Sequence, residues 1–199
     1  MGKIKQPNRP IGPFPTVLAG AEVNGKPNYV TIGACGVVSL EPVLYISLKS
    51  THYTTIGVKE HGYFSVNIPS AEQVQKIDYC GVVSGRTTDK SILFTAFYDE
   101  LGKAPMIREC PMNILCKVIQ TLPIFGFEMF FGEIVAVYAN EQCLEDGRLD
   151  PLKINPVIML GTSYWDLGQT IGTVFKDGIA YKESQAPLLQ VDDKIRSGC

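Results

Sequence analysis

Three short stretches carry most of the side chains able to hold a charged ligand: 28–36 (NYVTIGACG), 47–55 (SLKSTHYTT) and 84–90 (SGRTTDK). Together they offer hydroxyls, glycine amides and the cations Lys49, Arg86 and Lys90. That set suits a phosphorylated ligand, because a dianion takes cations, hydroxyls and the open N–H groups of loops and helix starts. Thr54 and Thr55 fall near the first turn of an expected helix, where such amides point outward. Each stretch by itself also reads as a solvated turn, and the residues alone do not say which ligand they would take.

Other chemistries find less support. The six cysteines (35, 80, 110, 116, 143 and 199) contain no C-x-x-C pair, and His52 and His61 are the only imidazoles. A Cys/His zinc site would have few ligands to draw on, so no metal is expected, and free buried thiols are the expected state. A Ser or Cys nucleophile would need one of those two histidines as its base, and the chain has no G-x-S-x-G. The run GAEVNGKP at 20–27 imitates a phosphate-binding loop until Pro27, which stands where a Mg²⁺-holding Ser or Thr belongs. The pentapeptide CGVVS occurs at 35–39 and again at 80–84, but the flanking residues share nothing, so it is not an architectural repeat.

The elements that must position these groups read as strands. The chain has 199 residues, 45% apolar and 19% charged, which is enough for one core. A single domain is expected over 1–199, with its core at 10–175 and a loose tail at 190–199. TVLAGAEV and NYVTI flank an Asn24-Gly25 hairpin turn. Further strands are expected at 43–49 (VLYISLK), 63–68 (YFSVNI), 112–121 and 126–139, the last two joined by LPIF. VIML at 157–160 and a TVFKDGIAY hairpin at 173–181 complete the strand set. Two short helices follow Ser50–Thr51 and Ser70, the second with a Ser70/Gln73 capping box and Gly81 as its stop. Mainly β architecture follows, a barrel or sandwich with a few short helices. Net charge is −2 with no polybasic run, which argues against a nucleic-acid partner. No apolar run approaches the roughly 20 residues of a membrane span, and the polar start MGKIKQPNRP lacks a secretory core. A cytoplasmic protein without membrane contact is expected.

The ordered set NYVTIGACGVVSLEPVLYISL, GYFSVNIP, DYCGVVSGRTTDK, NILC and FFGEI resembles the flavin reductase-like, FMN-binding split-barrel family, and within it the flavoredoxin branch. The likeness spans about residues 10 to 175. It implies a six-stranded split barrel, a homodimer, and FMN held in a groove close to the dimer interface. Carried over by position, Asn28, Thr31 and the backbone of Gly33, Ala34 and Cys35 would lie along the flavin. Ser47, Leu48, Lys49, Thr54 and Thr55 would meet ribityl and phosphate, and Cys80, Ser84, Gly85 and Lys90 would close the far side. Tyr164 would add a wall. The chemistry would take place at flavin N5, so no residue need act as a catalytic acid or base.

The resemblance implies an electron carrier working with a redox partner protein. An NAD(P)H:flavin oxidoreductase and a non-catalytic FMN- or tetrapyrrole-binding module are the alternatives. NAD(P)H-dependent members usually carry Gly-Asp-His ahead of the GE strand, whereas this chain reads Gly126-Phe127-Glu128, with Glu128 in the histidine position. They also often have Tyr-His near the C-terminal end, where this chain has Tyr164-Trp165.

Overall fold

The computed structural model describes residues 2–5, 12–39 and 42–184. The tail expected at 190–199 lies outside the described residues. Seven strands build one antiparallel sheet: β1 (Val17–Val23), β2 (Lys26–Ile32), β3 (Cys35–Val37), β4 (Val43–Lys49), β5 (Tyr63–Ile68), β6 (Met112–Ile124) and β7 (Phe127–Ala139). Their order is β2-β1-β5-β6-β7-β4-β3. Six barrel strands were expected; the seventh is the three-residue β3, which pairs Cys35 with Ile46 and Val37 with Leu44.

The sheet curls around one apolar core, to which Ala19, Val30, Ile46, Phe64, Cys116 and Phe130 contribute from six different strands. This is the split-barrel arrangement. β4 shows why its sequence reads so clearly as strand: Leu44, Ile46 and Leu48 point into the core while the residues between them are half-buried. β1 lacks such alternation because both its faces are covered. Val17, Ala19 and Ala21 face the barrel core, whereas Leu18 packs with Tyr29, Ile77 and Cys80 beneath the second helix.

Two helices frame the sheet, α1 (Tyr53–His61) and α2 (Val74–Val82). α1 lies against β1 closely enough that a Cβ on Gly57 would sit 2.0 Å from the Glu22 carbonyl oxygen, so only glycine permits that approach. His61 closes α1, as expected of a histidine before Gly62. Ser70 and Gln73 do act together: the Ser70 amide donates to the Gln73 side chain at 3.0 Å, over a 3₁₀ turn at Ala71–Gln73 that leads into α2.

Several boundaries differ from expectation. The cap of α1 is His52, not Ser50 or Thr51, and it makes no side-chain capping bond. Gly81 lies inside the last turn of α2, which ends at Val82. LPIF is not the loop between β6 and β7. The turn is Phe125-Gly126, with φ of 44° and 80°, the two-residue type whose twist matches a hairpin, and Pro123 stays within an exposed part of β6.

Short strands at Phe14–Pro15, Ile158–Leu160 and Ser163–Trp165 form a separate three-stranded sheet. A second compact unit begins at Gly168. Within it the expected 173–181 hairpin is a helix over 176–184. The Asp177-Gly178 pair that suggested a hairpin turn opens this helix instead, with the Asp177 carboxylate accepting the Thr173 amide. No described helix is long and apolar enough to cross a membrane.

Candidate functional site

The site is assembled where β4 hands over to α1. The chain leaves Lys49 by a tight turn in which the His52 amide donates to the Lys49 carbonyl at 2.9 Å. Because no side chain caps α1, its first-turn amides lack a side-chain acceptor where Thr51, His52, Tyr53 and Thr54 line a groove of about 280 Å³. β2 brings Asn28 to the same place, and its amide donates to the Thr54 hydroxyl at 2.8 Å. The loop after α2 brings Ser84 and Gly85. Gly85 is held so close that a Cβ there would lie 2.2 Å from Asn28 Oδ1 and 2.6 Å from the Tyr53 ring.

Lys90 lies beneath this junction and is only 3% exposed. Its ammonium donates to the Tyr29 carbonyl at 3.0 Å and the Cys80 carbonyl at 2.8 Å. It makes no ion pair with any described carboxylate. Burial pushes its pKa down, with Cys80 acting weakly in the other sense. Beside it His52 holds a buried Nδ1 with no hydrogen-bond partner among the described residues. His52 is held below its ordinary pKa by burial first, then by the charges of Lys49 and Lys90. A buried cation without an anion, a second cation, an orphaned ring nitrogen and open helix amides form a seat for an anionic group.

From this charged end the groove continues. Gly81 and Val82 belong both to it and to a hollow of about 300 Å³ that includes Thr31, Gly33 and Tyr164. Gly33 and Met159 then lead into a more apolar hollow of about 310 Å³ with Ala34, Cys35, Phe14 and Tyr45. Tyr164 donates to Asp78 at 2.8 Å, which ties the short 158–165 hairpin to α2, and burial, followed by that bond, raises its phenol to about 12. Thr31 is pinned by donating to the Ile77 carbonyl. Burial pushes the Cys35 thiol up to about 11, which keeps it protonated at neutral pH.

Of the positions singled out in the sequence, Asn28, Lys49, Thr54, Ser84, Gly85 and Lys90 meet at the charged end, and Thr31, Gly33, Ala34, Cys35 and Tyr164 along the continuation. The others stand behind or beside it. Leu48 and Cys80 are fully buried in the two apolar clusters. Thr55 is buried and donates to the Lys49 carbonyl at 2.9 Å, and Ser47 is half-buried with its amide on the Ala34 carbonyl. Glu128 is paired with Lys59 at 2.6 Å and accepts from Ser50 at 3.4 Å. Sequence reasoning missed His52 as a groove residue, having weighed it only as a metal ligand or a catalytic base. Its place directly before the first turn of α1 was the available signal. Phe14, Tyr45 and Met159 carried none, being ordinary apolar positions.

A family model described as the flavin reductase-like domain matches residues 12–164. Flavoredoxin from Methanosarcina acetivorans is 42% identical, aligned over 91% of this chain and 100% of its own, with a TM-score of 0.87. Flavoredoxin from Desulfovibrio vulgaris (Miyazaki F) is 31% identical, aligned over 89% of this chain and 100% of its own, with a TM-score of 0.84. An uncharacterized protein of Archaeoglobus fulgidus is 28% identical over 137 residues, 67% of this chain and 75% of that protein.

Proposed function

The chain belongs to the flavin reductase-like family, and on that premise we propose that it is a cytoplasmic FMN-binding redox protein. It carries electrons to or from a partner redox protein through a tightly held flavin. The observation that carries this reading is Lys90, a residue only 3% exposed whose ammonium has two carbonyl acceptors and no anion among the described residues. A charge so placed is stable only with compensation, and the FMN phosphate is the compensating group. FMN fits the rest of the groove in kind: charges and open amides at one end, small residues at Gly33–Cys35 where a planar ring needs close backbone approach, and apolar side chains from Phe14, Tyr45 and Met159.

The bound flavin would supply the electron chemistry. The chain's own groups bind and orient. Lys90, Lys49 and the first amides of α1 would hold the phosphate; Asn28 and Thr54, already bonded to each other, keep that wall fixed. Cys35, a neutral thiol, serves as wall rather than nucleophile. Glu128 stands where reductases of this fold usually have histidine, and its carboxylate is committed to Lys59. That leaves no imidazole at this position to seat a nicotinamide, although flavoredoxins too tend to have histidine there.

The protein would act as a homodimer. The outer half of the β6–β7 hairpin exposes Ile119, Leu122, Ile124, Phe125 and Phe127 together, an apolar surface of the sort that a second copy covers. Purified protein that keeps its flavin through gel filtration and is not bleached rapidly by NADH or NADPH without oxygen would bear out the reading. Rapid bleaching would make it an NAD(P)H:flavin oxidoreductase, and a colourless protein that fails to take up added FMN would remove both.

A further inference from the structure

Away from the charged end, the groove wall holds another polar group that the chain leaves open. Thr16, the residue before β1, is only 3% exposed, and its hydroxyl has no hydrogen-bond partner among the described residues. Its backbone is fixed, because the Thr16 amide donates to the Val157 carbonyl at 2.9 Å, next to the 158–165 hairpin. The side chain lines the hollow of about 300 Å³ that also holds Thr31, Asp78 and Tyr164. The other hydroxyls of that hollow are engaged: Thr31 donates to the Ile77 carbonyl, and Tyr164 donates to Asp78 at 2.8 Å. Thr16 is thus the one hydroxyl of this wall whose proton is uncommitted among the described residues. Tyr29 is a useful contrast. Its hydroxyl is also buried and open, but it sits in the apolar cluster beneath α2 and lines none of the hollows described above.

We propose that Thr16 is a ring-binding residue, its hydroxyl donating to a carbonyl oxygen on the pyrimidine edge of the flavin and thereby favouring the reduced ring. The inference rests on the flavin reading above. A flavin ring has carbonyls and ring nitrogens at one end and methyl groups at the other. The groove is divided in the same way: the hollow with Thr16, Thr31 and Asp78 is joined through Gly33 and Met159 to the more apolar one at Phe14, Ala34 and Cys35. A hydroxyl buried without a partner is destabilising, and a carbonyl oxygen brought against it removes that deficit. Reduction places negative charge on the pyrimidine edge. A donor there therefore holds the reduced ring more tightly than the oxidised one.

The test is Thr16→Val, which keeps the shape of the side chain and removes the hydroxyl. Oxidised FMN should bind about fivefold more weakly and reduced FMN about fiftyfold, the scales of a neutral and a charge-assisted hydrogen bond. The midpoint potential of the bound flavin should fall accordingly, and its carbonyl stretch in the infrared should rise. Thr16→Ser should keep both readouts near the wild type. Without flavin, Thr16→Val should unfold no earlier than the wild type, because it loses only an unanswered hydroxyl. An unchanged potential and carbonyl stretch in Thr16→Val overturns this inference alone. So does a flavin-free Thr16→Val that is destabilised, since the hydroxyl would then be answered within the chain. Absence of FMN binding by the wild type overturns the flavin reading and this inference with it.

Discussion

Two buried polar clusters sit on the same barrel and differ in one respect. At the junction of β5 and β6, Asn67 donates to the Leu18 carbonyl and to Ser65, and accepts from the Ile107 amide and Asn113. Asn113 also donates to the Ile107 carbonyl, and Ser65 to that of Pro105. Every polar side chain there has its partners within the chain. In the groove, among the described residues, Lys90 has no anion and His52 Nδ1 has no hydrogen-bond partner. Burial of polar groups is common to both clusters, so it does not distinguish a binding site. Between these two clusters the difference is completeness: the first network finishes itself and holds the fold, whereas the second leaves a buried cation and a ring nitrogen open together, and the buried Tyr29 hydroxyl, open by itself in an apolar cluster, has no such company.

That contrast can be broken at either end. The largest effect is expected from Lys90→Met, which should weaken FMN binding about a hundredfold, measured by fluorescence quenching. The same change should leave the flavin-free protein as stable as the wild type or more so, because it removes an uncompensated buried charge. Asn67→Ala should do the reverse. It strands the Ile107 N–H and takes one of two acceptors from the Asn113 amide, at a cost of about 2–3 kcal/mol in urea unfolding, while the folded fraction still takes up flavin.

A smaller effect concerns pH. His52 is held below its ordinary 6.5 in the folded protein, so the unfolded chain takes up that proton first as pH falls. This residue therefore leaves stability unchanged well above pH 6.5 and lowers it as pH drops below. The thermal midpoint of the flavin-free protein should fall more steeply from pH 7 to 5 in the wild type than in His52→Gln. Smallest of all is Glu128→Gln, which breaks a pair whose lysine is half-exposed. Less than about 1 kcal/mol is expected in the same unfolding assay.

The sequence exposes those features that depend on neighbouring residues. The Asn24-Gly25 hairpin is legible because both residues adopt positive φ, here 52° and 73°. β4 is legible because one face is buried and the other is not. The 173–181 segment misleads because Asp-Gly is also a strong turn signal, and its use at a helix start depends on the Thr173 contact. The hairpin turn was misplaced because Pro123 suggested a loop, yet an exposed strand tolerates proline. In the site, the three polar stretches are visible, but their meeting is a property of the fold. Lys90 reaches the carbonyl of Tyr29, 61 positions earlier, and no local pattern encodes that bond. Nor does any encode that His52 ends with a buried, unanswered nitrogen.

Completion of Lys90 and its surroundings by a flavin phosphate would show in an FMN titration of flavin-free wild type and Lys90→Met, with thermal unfolding of both followed in parallel. One FMN per chain in the wild type, with binding lost from an equally stable variant, is the predicted result. Absence of FMN binding in the wild type, or equal affinity in the two proteins, would contradict it.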